Sequence, residues 1–79
     1  MSKNSFKDKL KEIFIKELKI KVNEKNKIND FEEWDSLANF NILLSCEKNF
    51  KVKFTPKEFN KLNSFKEILK VVKYKKELK

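Results

Sequence analysis

The 79-residue chain contains no glycine, no histidine and no arginine. Without glycine there is no glycine-rich phosphate loop. Without histidine there is no imidazole base, no zinc–histidine site and no serine–histidine triad. All twenty basic residues are lysine, so the bidentate guanidinium fork that base-reading and phosphate-clamping proteins favour is also missing. These absences argue against most classes of enzyme.

Cysteine and long apolar runs are equally scarce. Cys46 is the single cysteine, which excludes an internal disulfide, and its place in an apolar stretch predicts a buried structural thiol. The longest apolar runs are about three residues, as at 13–15 and 42–44, far short of a membrane span or a signal-peptide core. We therefore expect a soluble, cytoplasmic protein.

What is present is a small, charged and moderately apolar chain. It is 39% hydrophobic and 41% charged, has eight Phe, and carries a net charge of +8. This composition predicts one domain, residues 1–79, with a single modest core. The lysines interleave with acids along the first predicted helix. This pattern indicates that the high lysine content reflects the general composition of the source genome and not a nucleic-acid-binding patch. We expect a monomer that does not bind nucleic acid.

Apolar spacing and capping signals predict four helices. Their approximate bounds are 4–19, 36–50, 56–61 and 64–75. Asn4 or Ser5 would cap the first helix, while Thr55 and Ser64 each begin a capping-box pattern that opens the third or fourth. Between the first two helices lies a long loop in which asparagines are expected to supply the backbone angles that favour glycine. The tail from Lys73 onward is expected to fray.

The sequence leaves one alternative fold open. Residues 18–22 and 50–54 alternate between apolar and charged side chains with a period of two, which is typical of strands. The same alternation also occurs in extended loops, and a two-stranded ribbon is only marginally stable alone. We therefore expect an all-α bundle of three longer helices and one short helix, with an α+β domain containing such a ribbon as the alternative.

The chain is organised around Asp35, Ser36 and Leu37, which open the most apolar predicted helix. One interpretation is that Asp35 or Ser36 simply caps that helix, since both residue types are preferred there. The other is that Ser36 is an attachment point. Unpaired N–H groups and the helix dipole would favour an anionic group esterified to its hydroxyl.

The residues around this tripeptide have a recognisable order. They are Trp34-Asp35-Ser36-Leu37, Phe40, Leu43-Leu44, Glu47, Phe50, Phe54-Thr55-Pro56, Glu58, Leu62 and Ser64-Phe65. In this order, from Asp35 to about Val72, the chain resembles the acyl and peptidyl carrier proteins, in the stand-alone Trp-Asp-Ser-Leu variant. The resemblance implies a four-helix bundle of the acyl-carrier type.

The resemblance also implies a carrier that catalyses nothing itself. A phosphopantetheinyl transferase would attach 4′-phosphopantetheine from coenzyme A to Ser36, and the thiol of this arm would hold an acyl or aminoacyl group as a thioester. Asp35 would contact the transferase and its magnesium. Partner enzymes would be a loading ligase and a downstream transferase or reductase of fatty-acid or secondary-metabolite biosynthesis. The expected partner-docking residues are Leu37, Phe40, Asn41, Leu44 and Glu47.

One departure from the family pattern bears on the partners. Housekeeping fatty-acid carriers are acidic along the second helix, whereas this chain has Asn39, Asn41 and Lys48 at such surface positions and keeps only Glu47. The net charge of +8 would also oppose steering of a basic partner. Either the partners are less basic than usual, or docking relies on Leu37, Phe40 and Leu44 with the local acids Glu32, Glu33 and Asp35. We therefore expect a carrier for a dedicated pathway. Two other functions stay open: a small basic module that binds nucleic acid or an acidic surface, and an unmodified carrier-like structural subunit.

Overall fold

The computed structural model describes residues 5–77, which form a small all-α bundle. The four helices are α1 (Phe6–Leu18), α2 (Ser36–Phe50), α3 (Pro56–Lys61) and α4 (Phe65–Glu77). The longer helices α1, α2 and α4 pack against one another in all three pairings. The predicted all-α class is confirmed. No helix in the described part of the chain is both long and apolar enough to cross a membrane.

The predicted helix bounds agree closely with those in the structure. The bounds of α2 and α3 match the prediction, and those of α1 and α4 differ by one or two residues at each end. The predicted fraying from Lys73 onward is wrong as far as Glu77, because α4 continues to that residue. Asn4 and residues 78–79 lie outside the described residues.

The α+β alternative is wrong within residues 5–77, where the structure has no strand. The only bridge there is an isolated one between Lys27 and Ser64. The two alternating segments are the loops that follow α1 and α2. Their alternate residues cover the core and are buried: Ile20, Val22, Val52 and Phe54. A period of two therefore arises here from extended loops that have one side against the core.

Side-chain caps begin the helices where the sequence indicated. The Ser5 hydroxyl accepts the Asp8 N–H at 3.1 Å, and the Ser64 hydroxyl accepts the Glu67 N–H at 3.2 Å. Before α3 the capping box is complete, because the Thr55 hydroxyl accepts the N–H of Glu58 while the Glu58 carboxylate accepts that of Thr55. Each such cap satisfies N–H groups that the helix itself cannot.

The core is one cluster shared by three helices and the long loop. Phe14 of α1 meets the ring of Trp34 edge-on, with centroids 4.6 Å apart, and lies 5.9 Å from the ring of Phe65. Cys46 is buried as predicted, and burial, followed by the charge of Glu47, raises the pKa of its thiol to about 12. The nine most completely buried residues are Leu10, Phe14, Trp34, Ile42, Leu43, Cys46, Phe65, Ile68 and Val72.

Three of the described residues adopt positive φ angles, in a chain that contains no glycine. Asn29, with φ of 74°, fulfils the expectation that asparagine would take this role. The C-caps of α1 and α2 are instead lysines, Lys19 and Lys51, each with φ of 59°. The left-handed turn lets the Lys19 N–H reach the Ile15 carbonyl at 2.9 Å. A side chain with a Cβ loses about 1–2 kcal/mol in this conformation, so the absence of glycine costs stability at both helix ends.

Replacing one of these caps by glycine should therefore stabilise the protein. We expect Lys51→Gly to raise the free energy of unfolding by about 0.5–1 kcal/mol, since relief of the left-handed strain exceeds the extra freedom of glycine in the unfolded chain. The measurement is urea unfolding followed by circular dichroism. Lys53→Gly removes the same charge from a nearby residue without positive φ and should lower stability. Equal effects of the two changes would contradict the account of strain.

Candidate functional site

Backbone turns hold the segment that leads into α2. The Asn29 N–H donates to the Trp34 carbonyl at 2.8 Å, and the Trp34 N–H donates to the Phe31 carbonyl at 3.0 Å. The Asp30 carboxylate accepts the Lys27 N–H at 2.9 Å. The positive φ of Asn29 belongs to this closed loop. The chain therefore reaches the start of α2 along a fixed path.

A buried pair of hydrogen bonds joins this loop to α2 and to the end of α3. The Trp34 Nε1–H donates to the Asn39 Oδ1 at 2.9 Å, and the Asn39 Nδ2–H donates to the Leu62 carbonyl at 2.8 Å. Within the described residues no buried side-chain nitrogen or oxygen lacks a partner. Because an unpartnered buried polar group is costly, these bonds fix the three segments relative to one another.

The role of Asn39 corrects a prediction. We expected a surface position, but the side chain is only 5% exposed and faces the core. The signal was available, because Asn39 stands four, seven and eleven residues before Leu43, Cys46 and Phe50, which form the buried stripe of α2. An asparagine on such a stripe needs buried partners, and the sequence does not show which groups provide them.

Asp35, not Ser36, is the cap of α2. One oxygen of the Asp35 carboxylate accepts the Ala38 N–H at 2.9 Å, and Ser36 is the first helical residue. The Ser36 hydroxyl is thus outside the cap, and Ser36 is an exposed residue. At a helix start the first N–H groups have no acceptor within the helix, so those of Ser36 and Leu37 are available to an anion.

An uncharged groove of about 330 Å³ adjoins Ser36. Its walls come from the long loop, α2 and the α3 region. Its lining residues are Ile28, Asn29, Ser36, Asn39, Phe40, Phe59, Asn60 and Asn63. Sequence reasoning missed Asn29, Asn60 and Asn63, because the loop and α3 meet only through tertiary bonds such as the Ile28 N–H to the Asn63 carbonyl, at 2.8 Å.

Three large apolar side chains of α2 are exposed next to this groove. Leu37 is 71% exposed, Phe40 44% and Leu44 41%, and their spacing of three and four residues puts them on one face. We call these three residues the apolar strip. The ring of Phe40 lies 4.9 Å from that of Phe59 in α3, so the strip continues across the rim of the groove.

The two remaining predicted docking residues differ from each other. Asn41 is exposed next to the apolar strip. Glu47 is partly buried, and its carboxylate accepts the Phe54 N–H at 2.8 Å, which holds the loop between α2 and α3. The structure therefore brings four of the five predicted residues together on one exposed surface and gives Glu47 a contact within the chain.

Charge is divided unevenly between the surroundings of Ser36 and the rest of the chain. Residues 28–47 contain five acids and no lysine. Since the whole chain carries +8, this segment carries −5 and the other 59 residues carry +13. The acids of the segment are Asp30, Glu32, Glu33, Asp35 and Glu47. Ser36 therefore lies in an acidic stretch of a basic sequence.

Among the described residues, Asp35 does not belong to a cluster of side chains that could bind a metal ion. In the part of the chain that the structure describes, no three His, Cys, Asp or Glu side chains form a cluster that could bind one. A divalent cation at Asp35 would need further oxygen ligands from outside this chain, since Mg²⁺ prefers six. One carboxylate is enough to share such an ion with a partner and its substrate.

We expect Asn39→Ala to lower the free energy of unfolding by about 2–4 kcal/mol, because it leaves the Trp34 Nε1–H and the Leu62 carbonyl buried without partners, at about 1–3 kcal/mol each. Asn41→Ala, two residues away on the exposed face of α2, should change stability by less than about 0.5 kcal/mol. Chemical denaturation followed by far-ultraviolet circular dichroism measures both. Similar values for the two variants would show that the buried bonds do not fix this region.

Comparison of the sequence with protein-family models and with curated proteins finds no match to this chain.

Proposed function

We propose that the protein is an acyl carrier whose Ser36 bears a 4′-phosphopantetheine arm. One observation carries the proposal. Ser36 is an exposed residue at the first position of α2, its hydroxyl takes no part in the cap made by Asp35, and it lies at the edge of an uncharged groove. A serine with only a capping role would have its hydroxyl bonded to the helix, and here Asp35 fills that role.

The residues around Ser36 suit an attached phosphodiester. The N–H groups of Ser36 and Leu37 and the positive end of the α2 dipole would stabilise its negative charge. Amide side chains of Asn29, Asn60 and Asn63 line the groove, where they can donate to and accept from the amides of the arm. The arm supplies a terminal thiol that holds cargo as a thioester, and the buried thiol of Cys46 has no part in this chemistry.

Asp35 has a second role in the attachment step. Its carboxylate lies next to the serine that receives a phosphoryl group, and two adjacent anions repel unless a cation lies between them. A magnesium ion shared with the transferase and coenzyme A would relieve this repulsion. The second carboxylate oxygen of Asp35 is the natural ligand, since the first caps the helix at Ala38.

Partner enzymes would dock on the apolar strip. Burial of Leu37, Phe40 and Leu44 supplies affinity, and Glu32, Glu33 and Asp35, which are exposed and close to Ser36 in the sequence, would attract a basic partner. The partners are a ligase that loads the thiol and a transferase or reductase that unloads it, within a dedicated biosynthetic pathway. The net charge of +8 no longer counts against basic partners, because the field near Ser36 is local.

The first test is the attachment itself. With coenzyme A and a broad-specificity phosphopantetheinyl transferase, we expect the intact mass of the protein to rise by one phosphopantetheine. Ser36→Ala should abolish the increment. Ser45→Ala, which makes the same change later on α2, should leave the increment unchanged.

Two outcomes would overturn the carrier proposal. One is a wild-type chain that none of a panel of transferases modifies although its circular dichroism shows a folded helical protein. The other is an increment that persists in Ser36→Ala. A folded protein is required in each case, since transferases act on the structure around the serine.

The second test separates the two roles of Asp35. Asp35→Asn keeps a good capping residue, so stability should stay within about 0.5 kcal/mol of wild type. The loss of a ligand charge should lower kcat/KM for arm transfer at least about tenfold and raise the magnesium concentration needed for half-maximal rate. Glu33→Gln removes the same charge two residues away and should have a much smaller effect. If both variants lowered kcat/KM equally, the loss would come from the reduced negative charge near Ser36 and not from a magnesium ligand.

A further inference from the structure

A second groove lies on the face formed by the start of α1, the turn at 23–25 and α4. Three adjoining open hollows of about 560, 460 and 260 Å³ make up this α1–α4 groove, and Glu24 lines all three. None of them shares a lining residue with the groove beside Ser36. The α1–α4 groove is thus a surface separate from the groove beside Ser36, on which the carrier proposal rests.

Lysines dominate the walls of the α1–α4 groove. On α4, lysines recur at spacings of four and three residues, which places them along one face of the helix. Only Glu24 and Glu77 oppose them among the lining residues. The six lining lysines are Lys7, Lys11, Lys25, Lys66, Lys70 and Lys73.

Glu24 shows that the lysines of this groove favour a charged carboxylate. Its Oε2 lies 2.9 Å from the Lys7 Nζ, and both side chains are about half exposed. The hydrogen bond and charge of Lys7, together with the charges of Lys11 and Lys66, hold the pKa of Glu24 below its usual value. One carboxylate of the chain itself therefore already occupies the lysine-rich centre of the groove.

The groove also has apolar contact surface. Phe6 and Leu69 are partly buried against the core and line the groove with their remaining surface. Tyr74 is 62% exposed at one end, next to Lys70 and Lys73. A partner that offers apolar side chains as well as negative charge would bury this surface, whereas a purely charged one would not.

We propose that the α1–α4 groove binds an acidic peptide segment of a partner protein, one that alternates carboxylate and apolar side chains. Charge complementarity with six lysines selects an acidic occupant. The apolar surface of Leu69 and Tyr74, and the carboxylate of Glu24 at the centre, favour a peptide over a nucleic acid. The backbone of a nucleic acid carries a charge at every nucleotide, so one of its phosphates would lie close to the Glu24 carboxylate and be repelled. A peptide that alternates charged and apolar residues can place an apolar residue there.

The test uses a fluorescein-labelled short peptide of alternating Glu and Leu, with fluorescence anisotropy at about 0.15 M ionic strength. We expect this peptide to bind at least about tenfold more tightly than a Glu–Ser peptide of equal charge. Lys70→Glu with Lys73→Glu should weaken binding about tenfold. Lys53→Glu with Lys57→Glu, the same charge change outside the groove, should change it less than about twofold.

A variant that is expected to bind the peptide more tightly provides a more specific test. Glu24→Gln frees Lys7 for the peptide and removes a repulsive charge, so affinity should rise about threefold or more. Glu12→Gln alters the net charge equally but lies outside the lining residues and should have little effect. Ser36→Ala should bind like wild type, which keeps this result independent of the carrier proposal.

Three results would overturn the proposed peptide site. The first is that the Glu–Leu peptide does not bind. The second is that both pairs of lysine reversals weaken binding equally, which would show a response to net charge alone. The third is a single-stranded oligonucleotide that binds more tightly than the peptide and loses affinity with the α4 reversals, which would assign the groove to nucleic acid.

Discussion

The arrangement around Ser36 depends on one buried asparagine. Asn39 accepts a hydrogen bond from the Trp34 indole and donates another to the Leu62 carbonyl, so a single amide joins the long loop, α2 and the end of α3. Apolar packing alone is tolerant of small shifts, whereas a buried hydrogen bond has a narrow range of lengths and angles. The direction in which the chain enters α2, and with it the exposure of Ser36, is set by these two bonds.

Local chemistry was readable from the sequence, and tertiary chemistry was not. The caps at Ser5, Thr55 and Ser64 and the apolar spacing of the helices act within a few residues, so their patterns predicted the helices and the all-α class. The role of Asn39 depends on the Leu62 carbonyl, 23 residues away, as well as on nearby Trp34, and the amide-lined groove combines the long loop with the α3 region. The left-handed lysines were missed for another reason: in a chain without glycine, a helix end that turns through the left-handed region must use a residue type that disfavours it, and the sequence does not mark which helix ends turn in this way.

Net charge is a property of the whole chain and does not describe the charge of one segment. The net charge of +8 predicted a protein unsuited to basic partners, yet residues 28–47 carry five acids and no lysine. Screening confines each field to about 8 Å at physiological salt, so a partner responds to the patch that it approaches. The acidic stretch that contains Ser36 and the lysine-lined α1–α4 groove can therefore present charges of opposite sign to different partners.

The shortest helix has a property that bears on what the groove beside Ser36 can hold. None of the six residues of α3 is buried, and side-chain contacts hold the helix in place. The Glu58 carboxylate lies 3.0 Å from the Lys75 Nζ on α4, and Phe59 lies between Phe40 and Phe54. Moving α3 outward about its bonded end at Leu62 would expose little of the core, so it costs only a small part of the free energy of global unfolding. If Ser36 bears the proposed arm, α3 is the wall of the groove that would move to admit cargoes of different bulk.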